Sequence, residues 1–349
     1  MKVHADFEGG NVKVLSVEGS TVYLQNELRD SLTDWFFWSF CVEGAEGRTL
    51  TFVFDKNWVG YYGAAVSGDY ENWHWSETRT SPCSFTYTFS DTEHRVYFAH
   101  DMVYSVKKLR TFLSETGITP SVLCRSRQGR DVPMIRLGSG ERKIFLSSRH
   151  HACESAGTYV LMGFLKAYLQ SPIENTALLV VPMVDYDGVV CGDQGKNRAP
   201  HDHNRDYTDT PIYPETAAIM ALAKEENVFF AIDFHSPNHL GGRSDKVFVV
   251  RKYEERKPLF DRFGTLLEKY CKEGGMQYFL CDDMMPNTSW NRDDTPTAVS
   301  FFSSLPSCHL AFSLETTYFG SADNRVTPER LTEEGRSVYR ALSEYLSEF

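Results

Sequence analysis

A short apolar run in Phe145-Leu-Ser-Ser-Arg-His-His-Ala-Cys-Glu-Ser155 ends in two histidines, and Glu154 stands three residues beyond His151. An imidazole nitrogen and a carboxylate oxygen at that spacing suit a metal ion. Alone the pair says little. With this histidine and glutamate content, chance supplies about one His-x-x-Glu, and a second copy does occur at His74 and Glu77. Asp233-Phe-His235 and Leu314-Glu315-Thr316 add a second imidazole and another carboxylate. Two histidines and a carboxylate that leave one coordination position for water are what a catalytic zinc needs. The metal brings the pKa of that water toward roughly 7, so a carboxylate such as Glu315 becomes an adequate base at neutral pH. Between the two histidine segments, residues 184–207 read as a long loop dense in glycine and charge, which carries Lys196, Arg198, Asn204 and Arg205. Loops of that length inside a compact domain are usually functional. Cations beside a zinc suit a substrate carboxylate or the oxyanion of a tetrahedral intermediate.

These groups act together only if the chain brings them to one place. Lys143-Ile-Phe-Leu-Ser, Ala177-Leu-Leu-Val-Val-Pro-Met, Val228-Phe-Phe-Ala-Ile-Asp-Phe, Lys246-Val-Phe-Val-Val and His309-Leu-Ala-Phe-Ser-Leu predict strands. Helical spacing recurs at 104–115, 154–169, 214–224, 258–271 and 328–346, the third and the last opened by Pro214 and Pro328. The alternation predicts an α/β domain with a central mixed, mostly parallel sheet flanked by helices. In such sheets ligands bind beyond the carboxyl ends of the strands. That is where His151, Glu154, His235 and Glu315 all fall.

Residues 1–98 have a different texture. They hold five of the six tryptophans and many short strand-forming runs, among them Thr21-Val-Tyr-Leu, Trp35-Phe-Phe-Trp-Ser-Phe, Leu50-Thr-Phe-Val-Phe and Ser84-Phe-Thr-Tyr-Thr-Phe. Close spacing with little helical pattern predicts an antiparallel β-sandwich, with the α/β domain occupying 99–349. The aromatics are expected to fill the sandwich core and its interface with the next domain. His74, between Trp73 and Trp75, is expected to be a surface or packing histidine.

Composition narrows the function classes. At 349 residues, 42% hydrophobic and 14% aromatic, the chain can bury a sizeable core. A net charge of −11 speaks against nucleic acid and anionic membrane surfaces as partners. The first ten residues lack a signal-peptide core, and no apolar run reaches the roughly 18 residues that span a bilayer. The eight cysteines are scattered without CxxC pairs, the usage of reduced thiols in a cytoplasmic protein.

His-x-x-Glu after a strand, Asp187-Gly188 before a glycine-rich loop ending in Asn204-Arg205, then Asp-x-His and Leu-Glu-Thr in that order resemble the M14 zinc carboxypeptidases. The aromatic sandwich with Phe7-Glu-Gly-Gly-Asn, and Gln128-Gly-Arg130 before the first site strand, resemble the cytosolic carboxypeptidase branch. The resemblance implies a single zinc ion held by His151, Glu154 and His235, with Glu315 as general base. It implies that Asn204 and Arg205 clamp the terminal carboxylate, and that Arg198 stabilises the oxyanion, with Lys196 as the alternative. Three departures stand out: Cys153 between the ligands, His203 before Asn-Arg, and no tyrosine that matches the family's substrate cap, Tyr318 lying beyond Glu315. His150 is expected beside the site rather than on the metal.

The expected function is a cytoplasmic metallocarboxypeptidase whose partner is a peptide or protein carboxyl terminus. The cytosolic relatives trim acidic residues, for which Arg243 and Arg292 are the sequence candidates here. Two other readings compete. One is a zinc deacylase of N-acyl amino acids, and the other a peptide-binding protein with a vestigial zinc site.

Overall fold

Short alternating strands in the first part of the chain build two five-stranded sheets, in a computed structural model that describes residues 1–349. One sheet runs Lys2–His4, Ser39–Glu43, Arg95–Ala99, Ala65–Ser67, His74–Trp75 in spatial order. The other runs Lys13–Glu18, Thr21–Gln25, Thr49–Phe54, Ser84–Thr88, Arg79–Ser81. Pairing is antiparallel throughout, except that Thr21–Leu24 runs parallel to Thr51–Phe54. Trp38, Phe40, Phe52, Phe85 and Phe98 are fully buried between the sheets, with Phe52 and Phe85 stacked at 4.9 Å. The sandwich's aromatics are divided: these rings fill its own core, whereas Phe36, Phe37, Tyr70, Trp73 and Trp75 belong to the larger core of the second domain.

One of these segments is informative. Trp35-Phe36-Phe37 reads as the start of a strand, yet the ladder begins only at Ser39. Trp38 packs in the sandwich core, whereas Phe36 and Phe37 belong to the larger core of the second domain, with Trp35 packed against it. The segment leaves its sheet because its side chains find more apolar surface across the domain boundary.

Past Ala99 the chain turns to alternating strands and helices. Val106–Thr116 is capped by Ser105, whose hydroxyl accepts from the Lys108 amide, and it stops at Gly117 in the left-handed region (φ 68°). A seven-stranded sheet follows in the order Ser121–Arg125, Asp131–Gly138, Thr176–Val181, Arg142–Ser148, Phe230–His235, Leu310–Glu315, Phe248–Val250. The four strands at 142–148, 176–181, 230–235 and 310–315 pair in parallel, and the outer ones are antiparallel. The parallel strands Thr176–Val181, Phe230–His235 and Leu310–Glu315 are buried along their whole length, which explains their unbroken apolar sequences. Helices Ser155–Gln170 and Lys257–Cys271 each pack against Pro328–Leu346.

The register decides what the site contains. Ser148 pairs with Phe234, and His235 pairs with Glu315, so three neighbouring parallel strands end together. No helix is long and apolar enough to cross a membrane.

Candidate active site

The strand Arg142–Ser148 leaves the sheet through Arg149, which sits in the left-handed region at φ 62°. That conformation is unusual for a non-glycine residue. It is held by the buried guanidinium, which donates to Ser155 Oγ (2.7 Å) and the Tyr104 carbonyl (3.3 Å). The turn swings His151 outward and places Glu154 at the N-terminus of the helix Ser155–Gln170, the Glu154 amide donating to the His151 carbonyl. This helix approaches the strand Phe230–His235 so closely that a Cβ at Gly157 would lie 2.9 Å from the Phe234 carbonyl oxygen. Only glycine permits that approach, which brings Glu154 to His235.

The donor atoms of His151, Glu154 and His235 lie within 4.8 Å of one another, and all three residues are buried. His151 Nδ1 is 2.8 Å from Glu154 Oε1, and His235 Nδ1 is 2.7 Å from Glu154 Oε2. Each imidazole has a carboxylate behind its other nitrogen: Asp233 Oδ2 at 2.6 Å from His235 Nε2, and Asp202 Oδ1 at 3.7 Å from His151 Nε2. Two imidazole nitrogens aimed at one carboxylate, each ring backed by a further carboxylate, form the donor set and outer support of a zinc site. The residues present fit zinc.

His150 is not part of this set. Its nitrogens contact Asp233 Oδ1 (2.8 Å) and Tyr207 OH (2.7 Å), which uses both. Cys153 is buried, its thiol pushed up by burial, and its sulfur lies 3.9 Å from Tyr318 OH. Tyr318 is itself buried and its ring packs on Phe36, so it does not reach the substrate space. The second His-x-x-Glu falls elsewhere: His74 is exposed on the sandwich and Glu77 pairs with Arg325.

Glu315 ends its strand facing the same space. Its side chain is nearly fully buried, and Oε2 has no hydrogen-bond partner. Burial pushes this carboxyl up to about 7. A cavity of about 250 Å³ opens in front of it, lined by His151, His235, Lys196, Asn204, Arg205 and Glu315 among others. The Asn204 side-chain oxygen accepts from the Ala298 amide at 3.1 Å, which fixes the amide group. Arg205 donates Nη1 to the Asn204 carbonyl (3.0 Å), leaving the other guanidinium donors to the cavity.

The loop carries its two other cations to opposite sides. Lys196 Nζ lies 2.9 Å from His151 Nδ1 and 3.0 Å from Glu154 Oε1, inside the cavity. Arg198 is not in that cavity. Its guanidinium meets Asp30 (3.0 Å), Asp185 (2.7 Å) and Asp193 (3.0 Å) beside a second, separate cavity. Burial alone would lower its pKa, but Asp185 and Asp30 outweigh that and raise it. With each of its three nitrogens drawn to a carboxylate, the Arg198 guanidinium is held away from the cavity that contains Glu315. His203 also turns to that side, stacked on Tyr213 at 3.8 Å.

Among the cavity residues that the sequence reading does not single out, three side chains stand out. Trp35 comes from the sandwich, Trp290 is half exposed, and Lys252 follows the strand Phe248–Val250. The Lys252 side chain is buried, its ammonium donates to the Arg292 carbonyl, and burial brings its pKa down to about 8. A buried lysine carries no periodic signal, and the aromatic run around Trp35 reads as a strand. Arg243 and Arg292 are absent from the lining: Arg243 donates to the Asp282 carbonyl, and Arg292 contributes its backbone carbonyl to Lys252.

Comparison with known proteins places these features in a family. Residues 3–100 match the model described as the cytosolic carboxypeptidase N-terminal domain, and residues 115–320 match the model described as zinc carboxypeptidase. An uncharacterised protein of Zymomonas mobilis is 24% identical over 304 residues, covering 80% of this chain and 79% of that protein. Human cytosolic carboxypeptidase 2 is 26% identical over 195 residues, which is 48% of this chain and 21% of the relative. The matches to the cytosolic carboxypeptidases thus take in only about a fifth to a quarter of those proteins. A metallo-carboxypeptidase from Pseudomonas aeruginosa, solved in complex with (2-guanidinoethylmercapto)succinic acid, superposes with a TM-score of 0.82 at 22% identity. The superposition covers 100% of both chains, and at that identity it is a likeness of fold.

Proposed function

The chain belongs to the M14 zinc carboxypeptidase family, and from that premise we propose that it removes one residue from a peptide or peptide-like substrate with a free terminal carboxylate. One zinc ion at His151, Glu154 and His235 would supply Lewis acidity to the attacking water and the scissile carbonyl. The chain's own residues supply the rest. Arg205, with guanidinium donors directed to the cavity, grips the terminal carboxylate, and Asn204 donates its fixed amide to the same group. That grip sets the scissile bond in front of Glu315, whose unpartnered Oε2 accepts a proton from the attacking water and returns it to the leaving amine. Lys196 faces the developing oxyanion and stabilises it, and Arg198 holds the loop. Lys252, buried on the lining shared with Arg205, supports a preference for a terminal residue bearing a second carboxylate.

The observation that carries this reading is Glu315: a buried, unpartnered carboxylate opening into the cavity that holds both the donor set and Arg205. The cytosolic family domain and the names of the relatives support a cytoplasmic site of action. The test is a library of peptides varied at the terminal residue, with zinc quantified in the same sample. Release of glutamate or aspartate ahead of neutral and basic residues is expected, with no release from amidated peptides. Equal turnover of amidated ends, or turnover of N-acyl amino acids alone, would sink the reading.

A further inference from the structure

Lysine is a poor stand-in for a rigid guanidinium unless something holds it. Its stem has four rotatable bonds, and fixing the ammonium costs rotamer entropy. Lys196 sits on a stretch with no regular secondary structure between Gly192 and Asp202, so neither helix nor sheet constrains it. The constraint comes from the other domain. Asp30 accepts from the Gln194 amide (3.0 Å) and the Gly195 amide (2.7 Å). The Gln194 side chain accepts from the Phe37 amide (3.0 Å) and donates to the Phe37 carbonyl (2.9 Å), as a strand partner would. Gly195, at φ 71°, presses so near the metal-ligand turn that a Cβ would lie 2.1 Å from the Ala152 amide nitrogen. Beyond Lys196, the Asn197 carbonyl accepts from the Leu32 amide of the sandwich (3.0 Å), so the backbone is held by the other domain on both sides of the lysine.

One sandwich side chain goes further, into the cavity itself. Trp35 lines it, and the Lys196 ammonium stands over the indole at 5.3 Å from the ring centroid. The indole stacks with Phe36 at 4.8 Å, and Phe36 in turn packs on His239 at 5.1 Å. His239 closes the loop that follows His235 and contributes Ser236, Pro237 and Asn238 to the cavity. The run Trp35-Phe36-Phe37 therefore spans the two loops that carry Lys196 and His235. An ammonium over an indole face is attracted to the ring quadrupole, more so where water is excluded.

We infer that Trp35 is a positioning residue for Lys196: the sandwich domain completes the active site by holding the lysine ammonium on the indole face, aimed at the scissile carbonyl. The inference rests on the carboxypeptidase reading for its catalytic consequence, but not for its geometry. In the full chain, Trp35→Leu keeps an apolar side chain of moderate size and removes the π face, and Trp35→Phe keeps a smaller one. The geometry is read by NMR of the protein reductively methylated with 13C, the Lys196 signal being assigned from its loss in Lys196→Arg. The Lys196 methyl resonance is expected upfield of the other lysines, returning to their position in Trp35→Leu and partway in Trp35→Phe.

Peptide turnover is expected to follow the same ranking. Trp35→Leu should lose about tenfold in kcat with KM within about twofold, and Trp35→Phe should recover part of that loss. Two results overturn the inference: a Lys196 signal unaffected by Trp35→Leu, or an activity loss that tracks the melting temperature and is not relieved by phenylalanine. If the unsubstituted protein cleaves no peptide, the proposed function fails, and the NMR arm still decides the placement of Lys196.

Discussion

Lys196 and Arg198 stand two residues apart on one loop and meet opposite surroundings. Lys196 shares a single carboxylate, Glu154, with the two imidazoles of the donor set. Arg198 meets three carboxylates, Asp30, Asp185 and Asp193, the last shared with Arg29. A guanidinium drawn to a carboxylate at each nitrogen is held in place by them, and removing it would leave buried anions facing one another. An ammonium whose partner is also claimed by two histidines keeps unspent capacity toward whatever enters the cavity. The difference teaches that charge near a site is no guide to function until its partners are counted. The cation of the expected residue type is tied up among carboxylates, and its neighbour lines the cavity that contains Glu315.

The contrast predicts that cavity-side substitutions remove activity and leave stability, while cage-side substitutions do the reverse. Glu315→Gln keeps the size and shape of the side chain and removes the proton acceptor. Turnover should fall by at least about 10³-fold, with zinc content and melting temperature unchanged. Zinc loss in that variant would mean that Glu315 acts as a ligand, and the division of roles among the carboxylates would be wrong. Lys196→Met should come next, with kcat lower by roughly 10²–10³-fold and KM little changed, since its donor acts on charge that develops in the transition state. Arg205→Met is expected to be smaller and to appear in KM, which should rise about 10–100-fold for free-carboxylate peptides. Steady-state kinetics on one peptide separates the three.

Much of the site was readable from the sequence because it rides on regular elements. The strands ending at Ser148, His235 and Glu315 are apolar, and reading them as neighbours was enough to bring His151, Glu154, His235 and Glu315 together. Where the chain is irregular, the same reasoning lost its grip. Nothing local distinguishes Lys196 from Arg198, because the partner that withdraws Arg198 includes Asp30, 168 positions away in another domain. Trp35 and Trp38 sit in one aromatic run, and only the packing shows that the first leaves the sandwich and the second fills its core. The edge hairpin Ser121–Arg125 and Asp131–Gly138 went unread because its strands mix polar residues into their apolar faces. Periodicity reports burial against one's own element, and these residues are placed by someone else's.

The sharpest way to break the comparison is on the cage side, where the effect on activity should be least. Arg198→Met leaves Asp185 buried and removes the cation shared by Asp30 and Asp193. Breaking a fully buried ion pair costs more, but the second cavity admits water to this one, so a loss of about 2–3 kcal/mol in urea unfolding is expected. Turnover per folded molecule should fall no more than about threefold, because Asp30, Gln194 and Phe37 still hold the backbone around Lys196. If Arg198→Met instead loses as much kcat as Lys196→Met while its unfolding curve stays put, the guanidinium must leave its carboxylates during turnover. The two cations would then share one role, and the loop would have to rearrange around the substrate to allow it.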